Sequence, residues 1–276
     1  MPGSLMTAEW YSEALGRPTQ VSALLPPSLS DGSYQPGTQF KTVYLLPGAL
    51  SSSEALFTET DLASAYSGIT PADVAIFSVT PTFSFYTDYK HDYRFAHQYY
   101  TYVTKELVDI TRTLFPLSHR REDTAIYGFS MGGWGAYFCG LNNPQTYGYV
   151  AAQSGMLDMQ WAVDNRPFMT IKHKRQFGDS LQIKDTPYDL YAITTQMDTL
   201  AASGATELPK LYQSWGGEAD YLNTPNVHMH EHMQGLKHLD YTCRLGNWPH
   251  SWGPHNEGVN WFFEWFLSGG KKRGEV

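Results

Sequence analysis

The 276-residue chain carries only two cysteines, Cys139 and Cys243. No disulfide framework can therefore hold it together, and its stability must come from a packed core. Cys139 sits in the apolar run 134–141, where a small buried residue is expected. A bridge between the two thiols has a low prior, and two thiols fit a reducing compartment as well as any other. No stretch approaches the roughly 18 apolar residues needed to cross a bilayer. The opening from Met1 to Trp10, with Met6 as an alternative start, lacks the basic and then apolar segments of a secretory signal. These absences read as a soluble, cytoplasmic protein with no membrane partner. Basic residues are also scarce, 19 against 27 acidic ones, for a formal charge of −8. Such a surface repels a phosphate backbone, which argues against nucleic acid as a partner. Long runs of like charge, internal repeats and low-complexity segments are missing too, and Lys271, Lys272 and Arg273 read as a solvated end.

What the chain does have is core material. Hydrophobic residues make up 42% of it, with 19 Tyr, 14 Phe and 8 Trp. Strand-like and helix-like stretches alternate, which predicts an α/β fold with a mostly parallel central sheet and helices on both faces. Strands are expected at 19–25, 40–46 (FKTVYLL), 74–80 (VAIFSVT), 124–127, 149–153, 210–215 and 240–245. Helices are expected at 97–114, where Tyr99, Val103, Leu107, Ile110 and Leu114 recur at helical spacing, and at 131–141 and 259–267. The length suits one domain over residues 1–276. The pattern weakens at 158–206, which reads as a small cap-like insertion over the C-terminal ends of the strands.

The sharpest signal is Gly128-Phe129-Ser130-Met131-Gly132. In a G-x-S-x-G turn between strand and helix, the serine is exposed on a strained elbow and the glycines prevent crowding. Its neighbours, Thr124 to Tyr127 before and Trp134 to Cys139 after, supply the strand and the helix. Ser130 is thus the candidate nucleophile. A hydroxyl needs a base, and the order in this fold is nucleophile, acid, histidine. Of His228, His230, His232, His238, His250 and His255, the best placed is His250, in the loop between the last strand and the terminal helix; His255 is the runner-up. Asp220, in the loop after strand 210–215, is the candidate acid, with Glu218 as the alternative. Oxyanion donors are expected at the N–H of Met131, at the start of the helix, and of Ala49, in the loop Leu45-Leu46-Pro47-Gly48-Ala49-Leu50.

Beyond these motifs, Phe83-Ser-Phe-Tyr86-Thr-Asp88, Thr104-Lys-Glu-Leu107, Arg121 through Ala136, Ser154-Gly-Met-Leu-Asp158 and His250-Ser-Trp252 together resemble the esterase D-like family. Within it the pattern is most similar to the tributyrin (short-chain acyl) esterases, over about residues 42–267. The resemblance implies an α/β-hydrolase fold, a Ser130–Asp220–His250 triad and a carboxylesterase without metal or other cofactor. The chain departs from the family at three places. Pro47-Gly48 stands where the family has His-Gly, and Pro249 stands where a glycine precedes the histidine. Leu50-Ser-Ser-Ser53 stands where S-formylglutathione hydrolases carry Thr-Cys, which points away from that substrate.

The expected activity is hydrolysis of short-chain acyl esters. Feruloyl or acetyl-xylan esters are the alternative, because the aromatic-rich insertion could receive a phenolic ring. A non-catalytic binding protein on the same fold is the reading from another class. Tyr86, Trp134, Trp161 and Trp252 are expected to line the substrate site, with Trp248 beside them. The run His228-Met-His-Glu-His232 has zinc-like spacing but no obvious further ligand, and is read as a surface helix. Self-association is left open.

Overall fold

A computed structural model describes residues 4–60, 62, 74–88, 97–166, 170–251 and 256–271. Among them an eight-stranded sheet forms the centre. Its strands are β1 (Ser4–Ser12), β2 (Arg17–Leu25), β3 (Lys41–Leu46), β4 (Val74–Val79), β5 (Thr124–Phe129), β6 (Tyr149–Gln153), β7 (Lys210–Trp215) and β8 (Tyr241–Leu245). Their spatial order is β1-β2-β4-β3-β5-β6-β7-β8. β1 pairs antiparallel with β2, and β2 with β4; every later pairing is parallel. The expected α/β-hydrolase architecture is therefore borne out.

The central strands are mostly apolar and almost wholly buried because both faces are covered. Side chains alternate across a strand, so Val43 and Leu45 of β3 join Tyr127, Phe262, Phe263 and Phe266 on one face. Tyr44 and Leu46 join Trp134, Tyr137 and Val150 on the other. The helices that cover these faces include α1 (Pro27–Asp31), α2 (Ala55–Glu59), α3 (Leu107–Leu114), α4 (Met131–Leu141), α5 (Met159–Asn165), α6 (Thr170–Phe177), α7 (Leu190–Ala202), α8 (Asn223–Gly235) and α9 (Asn256–Leu267). The stretch expected as one helix over 97–114 is helical from Tyr99, but it passes through a π-helical segment, Tyr102–Glu106, before α3.

β1 was not expected. Its alternate residues are only partly covered, as befits an edge strand, and its first residue pairs with Leu25. No described helix is long and apolar enough to cross a membrane. Cys139 and Cys243 are both free thiols.

Three helices, α5, α6 and α7, lie in the chain between β6 and β7. Asp158 caps α5 by accepting from the Trp161 N–H at 2.9 Å, and Asp189 caps α7 by accepting from the Tyr191 N–H at 3.0 Å. The segments that leave the C-terminal ends of β3, β5, β7 and β8 carry Ala49, Ser130, Asp220 and His250 respectively. In an open α/β sheet this is the edge where ligands bind.

Candidate active site

Ser130 ends β5 and immediately precedes α4, with φ 57° and ψ −120°. This conformation costs about 1–3 kcal/mol for a residue with a Cβ, so the surroundings must enforce it. Its N–H donates to the Gln153 carbonyl at 3.1 Å, and its own carbonyl accepts from Gly133 at 3.0 Å and Met156 at 3.2 Å. A Cβ on Gly132 would lie 1.8 Å from the Leu46 carbonyl oxygen, and one on Gly128 would lie 1.9 Å from the Gly132 oxygen. Only glycine lets strand, elbow and the loop after β3 approach this closely.

The histidine arrives from the loop after β8. His250 Nε2 lies 2.9 Å from Ser130 Oγ, and His250 Nδ1 lies 2.9 Å from Asp220 Oδ1. Asp220 is almost wholly buried. Burial alone would raise its carboxyl pKa, but the hydrogen bond and charge of His250, with a further bond from the Leu222 N–H, outweigh it. The carboxyl is held below its ordinary value and stays ionised. An ionised carboxylate only accepts, so Nδ1 carries the proton and Nε2 is left to accept from the Ser130 hydroxyl. Phe129 stacks on the imidazole at 4.7 Å, and the Tyr221 ring lies against it at 4.2 Å. Glu218 is exposed in the turn before Asp220 and does not meet the histidine. Pro249 does not prevent His250 from reaching Ser130; its carbonyl accepts from Ser251 at 2.8 Å.

Met131 opens α4, so its N–H lacks an intrahelical acceptor and sits at the positive end of the helix. Ala49 follows Gly48, which is buried against the elbow: a Cβ there would lie 3.2 Å from the Ser130 Cβ. The carbonyl of Pro47 accepts from the Tyr86 hydroxyl at 2.8 Å.

That bond corrects the sequence reading of Tyr86. Its side chain is fully buried and supports the loop after β3 from beneath, so it is no wall of a substrate site. Trp134 is corrected likewise. It has no exposed surface, stacks on Phe138 at 4.9 Å and meets Phe85 and Phe177 edge-on, because α4 packs its whole circumference into the core. Trp248 is also buried, against Trp261 at 5.4 Å. Trp161 alone of the described candidates remains half-exposed, with the Arg166 guanidinium 5.4 Å from its ring. Trp252 and the alternative base His255 lie outside the described residues.

The histidines of α8 disperse rather than converge. His228 Nδ1 meets Asp158 at 2.8 Å, His230 meets the Tyr241 hydroxyl at 3.0 Å, and His232 meets the Thr194 hydroxyl at 2.9 Å. Among the described residues no group of three or more His, Cys, Asp or Glu could hold a metal. Sequence reasoning missed Tyr221, although it directly follows the acid in a loop bound for the site. It also missed Arg166, which carries no periodic or motif signal.

The fold and the buried Ser-His-Asp arrangement define a serine hydrolase of the α/β type. The Esterase family model matches residues 12–262, and the chain belongs to that family. It is 26% identical to an acetyl esterase of Caldicellulosiruptor saccharolyticus over 274 residues, which is 95% of this chain and 97% of that one. It is 41% identical to S-formylglutathione hydrolase of Bos taurus, but over 69 residues only, 25% of this chain and 24% of the other. Among solved structures, the fluorophosphonate-binding serine hydrolase F of Staphylococcus aureus superposes with a TM-score of 0.82 at 22% identity, over 97% of this chain and 99% of that one.

Proposed function

We propose that this esterase hydrolyses short-chain acyl esters through an acyl-enzyme on Ser130. The observation that carries the reading is the pair of 2.9 Å contacts linking Ser130, His250 and Asp220. His250 takes the hydroxyl proton as Ser130 attacks the acyl carbon. Asp220 holds the imidazole tautomer and stabilises the cation that forms. The N–H groups of Met131 and Ala49 receive the oxyanion, each contributing about 3–4 kcal/mol to the transition state. His250 then gives its proton to the departing alcohol, and water cleaves the acyl-enzyme by the same route.

Short acyl groups are favoured over hydroxycinnamoyl ones because the relative matched over 95% of this chain is an acetyl esterase. The helical segment 158–206 serves as a cap that flanks the site through Trp161. The ester is a small molecule, nucleic acid is not a partner, and the working compartment is the cytoplasm. The test is turnover of p-nitrophenyl acetate, p-nitrophenyl butyrate and methyl ferulate by wild type and Ser130→Ala, with fluorophosphonate labelling in parallel. Loss of turnover and label in the variant, with butyrate preferred over ferulate, is expected. Near-normal rates in Ser130→Ala would refute the nucleophile, and strong preference for ferulate would overturn the substrate class.

A further inference from the structure

Beside the imidazole stands a cation that the esterase chemistry does not use. Arg166 follows α5 and is half-buried. Its guanidinium lies over two aromatic rings, 5.0 Å from the Tyr221 centroid and 5.4 Å from that of Trp161. One of its nitrogens, Nη2, donates to the Tyr221 carbonyl at 3.1 Å. It has no carboxylate partner among the described residues. A guanidinium has five N–H donors in a fixed planar fork, and most of this one remains unspent. On a chain of net charge −8, an unpaired cation held this firmly is a local exception to the general field.

The position of the cation matters as much as its charge. The Tyr221 ring that it covers lies 4.2 Å from the His250 ring, so the guanidinium is within about 9 Å of the imidazole. His250 must protonate the departing alcohol, and Phe129 covers one face of its ring. Tyr221, with Arg166 beyond it, thus stands next to the group that protonates the alcohol.

We propose that Arg166, braced by Trp161 and Tyr221, is an anion-recognising subsite for the alcohol portion of the ester, selecting leaving groups that carry a carboxylate a few bonds from the ester oxygen. This rests on the esterase reading above. The planar fork matches a carboxylate in bidentate fashion, and bracing by the two rings reduces what must be ordered on binding.

The experiment compares 4-acetoxybenzoate with 4-acetoxybenzamide, two acetyl esters whose leaving phenols differ in charge at one position. The ratio of their kcat/KM values is measured for wild type, Arg166→Gln and Arg166→Lys. Taking the variant's ratio relative to wild type cancels both the electronic difference between the phenols and any general loss of active enzyme. The carboxylate-to-carboxamide ratio is expected to fall about fivefold to tenfold in Arg166→Gln, to be partly kept in Arg166→Lys, and to shrink in wild type at high salt. An unchanged ratio in Arg166→Gln overturns the proposal. So does a change confined to the acyl side, read from 4-nitrophenyl hydrogen succinate against 4-nitrophenyl butyrate. Should wild type cleave none of these esters and take no fluorophosphonate label, the esterase reading itself falls, an outcome distinct from an unaltered ratio in an active enzyme.

Discussion

Tyr86→Phe isolates one atom. The ring stays, so its packing in the core is retained, while the hydroxyl that donates to the Pro47 carbonyl at 2.8 Å is lost. Because that carbonyl is buried, leaving it without a donor costs about 1–3 kcal/mol. For a chain of this size the stability loss should appear as a fall of about 2–4 °C in Tm per kcal/mol. The catalytic consequence is separable from this. Pro47 stands two residues before Ala49, so the Tyr86 hydroxyl fixes the height of the loop that presents the Ala49 N–H. Complete loss of one oxyanion donor costs about 3–4 kcal/mol. A donor that remains but is no longer pinned should cost less, about 1–2 kcal/mol, which is a 5- to 30-fold fall in kcat. The loss belongs to the transition state, so KM should move less than twofold. Steady-state kinetics on p-nitrophenyl butyrate, beside a thermal melt, checks both parts. A lowered Tm with kcat within twofold of wild type would refute the reasoning and return Tyr86 to a purely structural role.

Three further outcomes follow from the geometry. Asp220→Asn should keep the fold but lower kcat by about 10³–10⁴-fold, because the amide can present an N–H to His250 and reverse its tautomer; rates of fluorophosphonate labelling should fall with it. Gly132→Ala forces a methyl to within 1.8 Å of the Leu46 carbonyl oxygen, so soluble yield should drop or stability fall by about 3 kcal/mol or more; a well-folded, active variant would refute the close approach. His173 is buried with neither ring nitrogen hydrogen-bonded, and burial lowers its imidazole pKa to about 4. Between the ordinary value near 6.5 and about 4 the unfolded chain takes up a proton that the folded chain refuses, so this residue's contribution to stability falls as pH drops through that window and levels off below it. The stability advantage of His173→Leu over wild type in urea melts should grow by about 2–3 kcal/mol from pH 7 to pH 4.5, and a pH-independent difference would count against it.

Most of the frame was legible because it obeys local rules. β6, β7 and α4 begin and end where alternation, Pro209 and the elbow glycines said they would. Ser130, Asp220 and His250 could be nominated because each is tied to the end of a readable strand. What failed was the assignment of aromatic side chains. Trp134 sits just after the nucleophile motif and Tyr86 in the segment after β4, yet nothing local distinguishes a ring facing solvent from one facing the core. Four glycines on α4 draw that helix against its neighbours, and Trp134 is buried with it. Arg166 and Tyr221 were invisible for the opposite reason. Their contact joins segments 55 residues apart, and no period or spacing encodes such a meeting.

The backbone around Ser130 shows how the site holds its shape. Phe85, Tyr86, Ser130 and Ser154 all have positive φ without being glycine, at 48°, 53°, 57° and 48°. Such residues cost about 1–3 kcal/mol each and persist only where their surroundings over-determine them. Here each is pinned by a different partner. Phe85 N–H is held by Met131 Sδ, Tyr86 by Ser84 and Pro47, Ser130 by Gln153 and Met156, and the Ser154 N–H by the Ser214 carbonyl. The constraints run from β4 through β7, so no single element carries the strain. This arrangement fixes the proposed nucleophile and the loops of the two proposed donors before an ester arrives, so less reorganisation is left to the moment of reaction. It also explains why Pro47 is tolerated in the loop where the family's pattern has histidine. That position contributes its carbonyl to Tyr86, a proline carbonyl accepts as well as any other, and the fixed φ of the ring removes conformations that the loop would otherwise have to lose.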